Sequence, residues 1–151
     1  MSAPAEDETA QLKSRRQRVR FDHVGICVPD LETAVTWYCE TLDLTAAPAF
    51  AVAGTDLRGV MLLHESGYRI ELLHRPNAAP GLDADSPLSA AGTLGFGHMC
   101  LCVEDVDTEF DRLIAAGATV RMAPCASPRP GARVAFVADP YGNLIELLDR
   151  K

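Results

Sequence analysis

Four side chains have the types and spacing for metal chemistry: His23, Glu71, His98 and Glu146. They form two pairs, because shifting the chain by 75 residues lays His23 on His98 and Glu71 on Glu146. The frames around them repeat as well. H-x-x-I-C-V-x-D-L at 23–31 matches H-x-x-L-C-V-x-D-V at 98–106, and G-x-x-I-E-L-L recurs at 67–73 and 142–148. Arg58/Arg133 and Thr33/Thr108 fall on the same gapless overlay. Two imidazole nitrogens and two carboxylate oxygens suit Zn, Ni, Co, Mn or Fe(II) rather than calcium. An octahedral ion so held keeps two positions for water or a bidentate substrate. It could polarise a carbonyl and stabilise an enediolate or enolate. Removing the neighbouring proton then requires a base of near-neutral pKa, a task for a glutamate at the metal edge.

The other reading of the same residues is a pair of structural ion pairs, with each glutamate held by Arg58 or Arg133. Cys100 and Cys102 flank His98 and are either extra ligands or a small apolar wall. His64 and His74 fall outside the repeat, opposite Asp139 and Asp149, and read as ordinary surface or strand residues.

Each half carries the elements needed to position its pair. Residues 21–28 form a β-branched run that stops at Pro29-Asp30, a helix cap. Leu31, Val35, Tyr38, Cys39 and Leu42 then share one helix face. The copy uses Asp105 as cap, then Val106, Phe110, Leu113 and Ile114, and ends at Gly117. Strand-like pieces follow at 46–53, 58–64 and 68–74, and again at 119–124, 132–138 and 143–149. The unit is βαβββ, made twice. Alternation puts His23, Gly25 and Cys27 on one strand face and Val24, Ile26 and Val28 on the other. A helix over the aliphatic face leaves His23 looking into the concave side, and the same parity applies to His98. The organisation expected is a weakly ordered tail at 1–20, a first module at 21–74, a linker at 75–94 and a second module at 95–151.

Bulk properties exclude several classes. The formal charge is −7, and since the tail contributes 5 − 3 = +2, residues 21–151 carry 9 − 18 = −9. Such a body is a poor nucleic-acid binder, because phosphate affinity comes largely from Lys and Arg. No apolar stretch suits a secretory signal or a membrane span. Cys27, Cys39, Cys100, Cys102 and Cys125 are odd in number and contain no C-x-x-C. They read as reduced, buried thiols of a cytoplasmic protein. With 48% apolar residues, two halves that are marginal alone can share a core.

The paired modules, D-H-V-G-I-C-V-P-D-L followed by Trp37-Tyr38, and D-P-Y-G-N-L-I-E-L resemble the vicinal oxygen chelate superfamily over about 21–149. That group includes glyoxalase I, methylmalonyl-CoA epimerase, extradiol dioxygenases and the fosfomycin and bleomycin resistance proteins. The resemblance implies an α+β fold in which paired βαβββ modules make a cup-shaped, incomplete β-barrel-like sheet with helices outside. It implies one divalent metal ion on His23, Glu71, His98 and Glu146, and acid/base catalysis by Glu146 with Glu71 as its symmetric counterpart. Arg58 and Arg133 are candidates for binding a substrate anion. The activity expected is a metal-dependent lyase or isomerase moving a proton beside a carbonyl, glyoxalase-like or epimerase-like. The alternatives are an Fe(II) extradiol-type dioxygenase and a non-catalytic small-molecule binder of the antibiotic-resistance kind. Leu72-Leu73-His74-Arg75-Pro76 departs from the stretch that follows the first acidic ligand in glutathione-dependent glyoxalases. The partners expected are a small-molecule substrate and a second copy in a homodimer. The linker is long enough for the modules to close one site within a chain or to exchange across the dimer.

Overall fold

The computed structural model describes residues 20–150, so most of the expected tail lies outside the described residues. The first module runs β1 (Val24–Cys27), α1 (Leu31–Leu42), β2 (Thr45–Ala46), β3 (Phe50–Ala51), β4 (Arg58–Leu63) and β5 (Arg69–His74). After the linker, whose single helical turn is α2 (Pro87–Ala90), the second runs β6 (Met99–Cys102), α3 (Val106–Ala115), β7 (Thr119–Ala126), β8 (Ala132–Ala138) and β9 (Leu144–Arg150).

Both long helices start as their sequences dictate. The carboxylates of Asp30 and Asp105 accept the backbone N–H groups of Thr33 and Thr108, each at 2.8 Å. These bonds satisfy donors that the first helical turn leaves unpaired. Gly117, at φ 97°, takes the left-handed conformation that ends α3.

Each module makes its own open sheet. Strands are ordered β1-β5-β4-β2 in the first, with β3 also on β4, and β6-β9-β8-β7 in the second. The expected strand at 46–53 is instead two short pieces, β2 and β3, broken around Pro48. Proline cannot donate to a ladder. The second module tolerates Pro124 within β7, because that edge strand bulges between Met122 and Cys125. The fold is therefore built from two open sheets, and β1 and β6 are end strands that do not pair with each other.

The two modules do share a core. One buried cluster joins Ile26, Leu31, Tyr38, Leu62 and Leu72 to Val106, Phe110, Leu113, Val137 and Ile145. Burying each large aliphatic side chain contributes about 1.5–3 kcal/mol. Polar contacts fix the helices across this interface. Trp37 Nε1 donates to the Ala116 carbonyl at 2.8 Å, and Arg112 donates to that of Thr41 at 2.5 Å. The Tyr38 hydroxyl donates to Asp139 at 2.6 Å. Among the described residues no helix is long and apolar enough to cross a membrane.

The cysteines depart from expectation. All five are free, yet Cys27, Cys100 and Cys102 are exposed and Cys39 and Cys125 only partly buried. Cys27, Cys100 and Cys102 lie on end strands, where the face away from the helices is uncovered.

Candidate functional site

Register places the four expected ligands. In the first module Gly25 pairs with Glu71, so His23, Gly25 and Glu71 share a face. In the second Cys100 pairs with Glu146, which puts His98, Cys100 and Glu146 together. The opposite faces carry Ile26, Ile70, Leu72, Ile145 and Leu147 into the core under the helices. Each histidine meets its own glutamate. His23 Nε2 lies 3.5 Å from Glu71 Oε2, and His98 Nε2 lies 3.0 Å from Glu146 Oε2. The glutamate side chains retain only 22% and 18% exposure, so the imidazoles are their principal compensation.

What surrounds the two pairs differs. His23 Nδ1 sits 2.9 Å from Asp22 Oδ2, and the Arg69 guanidinium holds the other Asp22 oxygen at 3.0 Å. These bonds, the histidine's foremost, keep the Asp22 carboxyl below its usual range. Asp22 and Arg69 were not legible as site residues. Adjacent strand residues ordinarily point apart, and only an irregular strand entry lets Asp22 bond the neighbouring ring. Around Glu146 the neighbour is Cys100. The residue reaches solvent along the strand edge, but its thiol is partly desolvated. Desolvation first, and the Glu146 carboxylate second, push its ionisation up to about 11, so the thiol is a neutral donor toward that carboxylate.

Arg58 and Arg133 occupy other ground. Arg58 is in register with His74 and Met61 with Glu71, so Arg58 projects from the face opposite Glu71. By the same alternation Arg133, paired with Asp149, lies opposite Glu146. Arg58 is bound to Glu32 at the start of α1, and Arg133 to Asp107 at the start of α3, the latter with one contact of 2.7 Å. Both arginines thus clamp a helix onto its sheet rather than face the histidine–glutamate pairs. Their recurrence in the repeat is accounted for by that clamp.

His23 and His98 both line an open groove of about 830 Å³ between the edges of β1 and β6. A second depression of about 550 Å³, lined by Asp43, Thr45, Leu63, His64 and Glu65, holds neither pair. Among the described residues no three His, Cys, Asp or Glu side chains gather closely enough to hold a metal ion. Within one chain the two histidine–glutamate pairs do not close into a shared cluster.

The model of the Glyoxalase/Bleomycin resistance protein/Dioxygenase superfamily matches residues 20–147. The chain belongs to that superfamily. It is 35% identical over 135 residues to an ethylmalonyl-CoA/methylmalonyl-CoA epimerase of Cereibacter sphaeroides, covering 85% of this chain and 96% of that one. The fold matches a glyoxalase family protein from Enterococcus faecalis with a TM-score of 0.70 at 18% identity, over 87% of this chain and 98% of the other. It also matches glyoxalase I from Zea mays with a TM-score of 0.69 at 20% identity, over 87% of this chain and 44% of that longer one.

In residue type, though not in spacing within one chain, the four residues suit the divalent metal typical of this superfamily. His23 Nδ1 lies against Asp22 and its Nε2 against a Glu71 oxygen, so a ring carrying its proton on Nδ1 would offer the Nε2 lone pair to an ion. Two acceptors at that distance attract each other only with a proton or a cation between them. A carboxylate behind the distal nitrogen is also the usual support of a metal-binding histidine.

Proposed function

We propose that this protein is a metal-dependent isomerase of the epimerase type, moving a proton at the carbon beside a thioester carbonyl. The observation that carries the reading is the pair of histidine–glutamate contacts at equivalent places in the two modules. The similarity to the Cereibacter sphaeroides epimerase along nearly its full length supports the substrate class. His23, Glu71, His98 and Glu146 would hold the ion. When bound, a divalent ion there lowers the energy of the enolate form of the substrate by polarising its carbonyl oxygen.

The chain's own groups perform the proton transfers. Glu146 Oε2 accepts the proton from the α-carbon, and the Cys100 thiol and His98 ring fix that carboxylate's orientation. Inversion at carbon requires a second acid on the opposite side, and Glu71, the equivalent carboxylate of the other module, would deliver the proton there. The apolar walls beside them, Val134, Phe136 and Leu148, exclude water and so limit loss of the proton to solvent.

The two half-sites would be joined in a homodimer, the first module of each chain closing on the second module of its partner. Phe21 and Phe96 occupy equivalent places at the entries to β1 and β6 and are 81% and 102% exposed, which suits a symmetric contact. Incubation of methylmalonyl-CoA with the metal-loaded protein in deuterium oxide should exchange the α-proton. Glu146→Gln should keep the fold and stop the exchange; undiminished exchange would remove Glu146 from its role.

A further inference from the structure

Arg58, Arg69, Arg112 and Arg133 each contact a carboxylate at hydrogen-bond distance. Arg121 does not. Its side chain is only 19% exposed, and its nearest carboxylate oxygen belongs to Asp83, 3.8 Å away on a linker residue that is itself 86% exposed. Its Nε is shielded from solvent and has no hydrogen-bond partner among the described residues. A guanidinium withdrawn from water with donors unspent is costly, and such a group calls for a partner that arrives later.

Its position indicates which partner. Val120 pairs with Val137 and Met122 with Phe136, so Arg121 is the extra residue of a bulge. Bulges of this kind re-aim a side chain. Phe136 is in turn in register with Glu146. Met122 and Glu146 therefore stand on one transverse row of the sheet, two strand spacings or roughly 10 Å apart at the backbone, and Arg121 is the residue before Met122. The linker residue Asp83 adjoins Ala84, which with Ala90 packs against Ala138 and Leu144 on the Glu146 face, so the contact with Asp83 turns the guanidinium toward that face.

We propose that Arg121 is the anion-binding residue of the active site. It takes a carboxylate or phosphate group carried by the substrate a few bonds from the reacting carbon, and Asp83 holds that place until the substrate displaces it. The planar fork of donors matches such an anion in a bidentate contact that Asp83 does not make. The placement rests on reading Glu146 as the site's base, and it narrows the substrate class to acids or phosphates that also carry the reacting carbonyl.

Calorimetric titration of the full-length protein with malonate and, separately, with inorganic phosphate tests this by binding alone. The parent should bind at least one of them, and the preferred anion distinguishes a carboxylate from a phosphate ligand. Arg121→Gln should weaken that binding about tenfold or more, Arg121→Lys should restore part of it, and Asp83→Asn should tighten it. Asp83 is exposed enough that its variant will fold. Absence of binding to the parent, equal binding by Arg121→Gln, or an Asp83→Asn protein that binds no tighter would each overturn the proposal. Glu146→Gln should still bind the anion. Lost exchange activity alone therefore bears on the proposed function, and lost anion binding alone bears on Arg121.

Discussion

The two modules share a scaffold and differ around the metal-type pair. Asp30 and Asp105 cap the helices identically, and the Arg58–Glu32 clamp has its copy in Arg133–Asp107. Around the pairs the residues diverge. The first module surrounds His23 with Asp22 and Arg69, whose counterparts are Gly97 and Leu144. The second places Cys100 beside Glu146 where the first has Gly25, a position at which a Cβ would lie 3.6 Å from Glu71 Oε2. One half is braced by charge to hold a ligand ring still. The other carries a neutral thiol beside the carboxylate proposed to gain and lose a proton. Identical packing rules thus gave two different chemical surroundings, and the roles proposed for Glu71 and Glu146 rest on that difference.

The largest effect should come from testing that assignment directly. In proton exchange at saturating metal, Glu146→Gln should lose about 100- to 10,000-fold, the usual contribution of a positioned general base. Glu71→Gln should keep most of its exchange rate at saturating metal, although both variants, each lacking a ligand oxygen, should lose metal affinity in titration calorimetry. Equal, purely kinetic losses in both would erase the distinction. A mixing experiment asks whether the modules serve one site across chains. His23→Ala/Glu71→Gln and His98→Ala/Glu146→Gln proteins, each inactive, should regain about a quarter of parental activity after unfolding and refolding together. That fraction follows because half of the dimers are mixed and each then has one intact site. No recovery would place the complete site within a single chain.

Next in size is the brace. Asp22→Asn should weaken metal binding about 10-fold, the lower range for loss of a carboxylate behind a ligating histidine. The second module has no equivalent carboxylate, so a Gly97→Asp protein should not change by a comparable amount in the opposite sense unless the halves are interchangeable. The smallest effect is on stability. Tyr38 is buried against Asp139, and desolvation, followed by the Asp139 charge, raises its ionisation above the ordinary value near 10. The protonated phenol is favoured in the folded state, so this contribution is complete below about pH 10 and is lost as pH climbs beyond it. Tyr38→Phe should cost about 1–3 kcal/mol at neutral pH and flatten the alkaline limb of the denaturation profile. An unchanged limb would mean another group controls it.

Much of the architecture was legible because it depends on local rules. The duplicated frames, the Asp30 and Asp105 caps, the helix at Leu31–Leu42 and the parity that puts His23 and Glu71 opposite the aliphatic core all follow from neighbours within a few positions. The side chosen by Arg58 and Arg133 was not legible, since alternation within one strand does not say which face the adjoining strand presents. Asp139 read only as the residue opposite His64 in the repeat, yet it is 1% exposed and bonded to Tyr38 across 101 residues. The exposure of Cys27, Cys100 and Cys102 was also misread, because apolar neighbours in sequence do not reveal that a strand lies at a sheet's end.

The amino-acid order by itself determined the repeat, the secondary elements and the two histidine–glutamate pairs, because those depend on periodicity and on residue chemistry at short range. Only the tertiary structure decided that no three of the candidate ligands gather among the described residues, that the repeated arginines clamp helices, and that Arg121 comes to lie one residue from the row of Glu146 with its Nε unbonded. Those outcomes depend on strand register and on the way two sheets meet, which arise from packing between residues far apart in the chain.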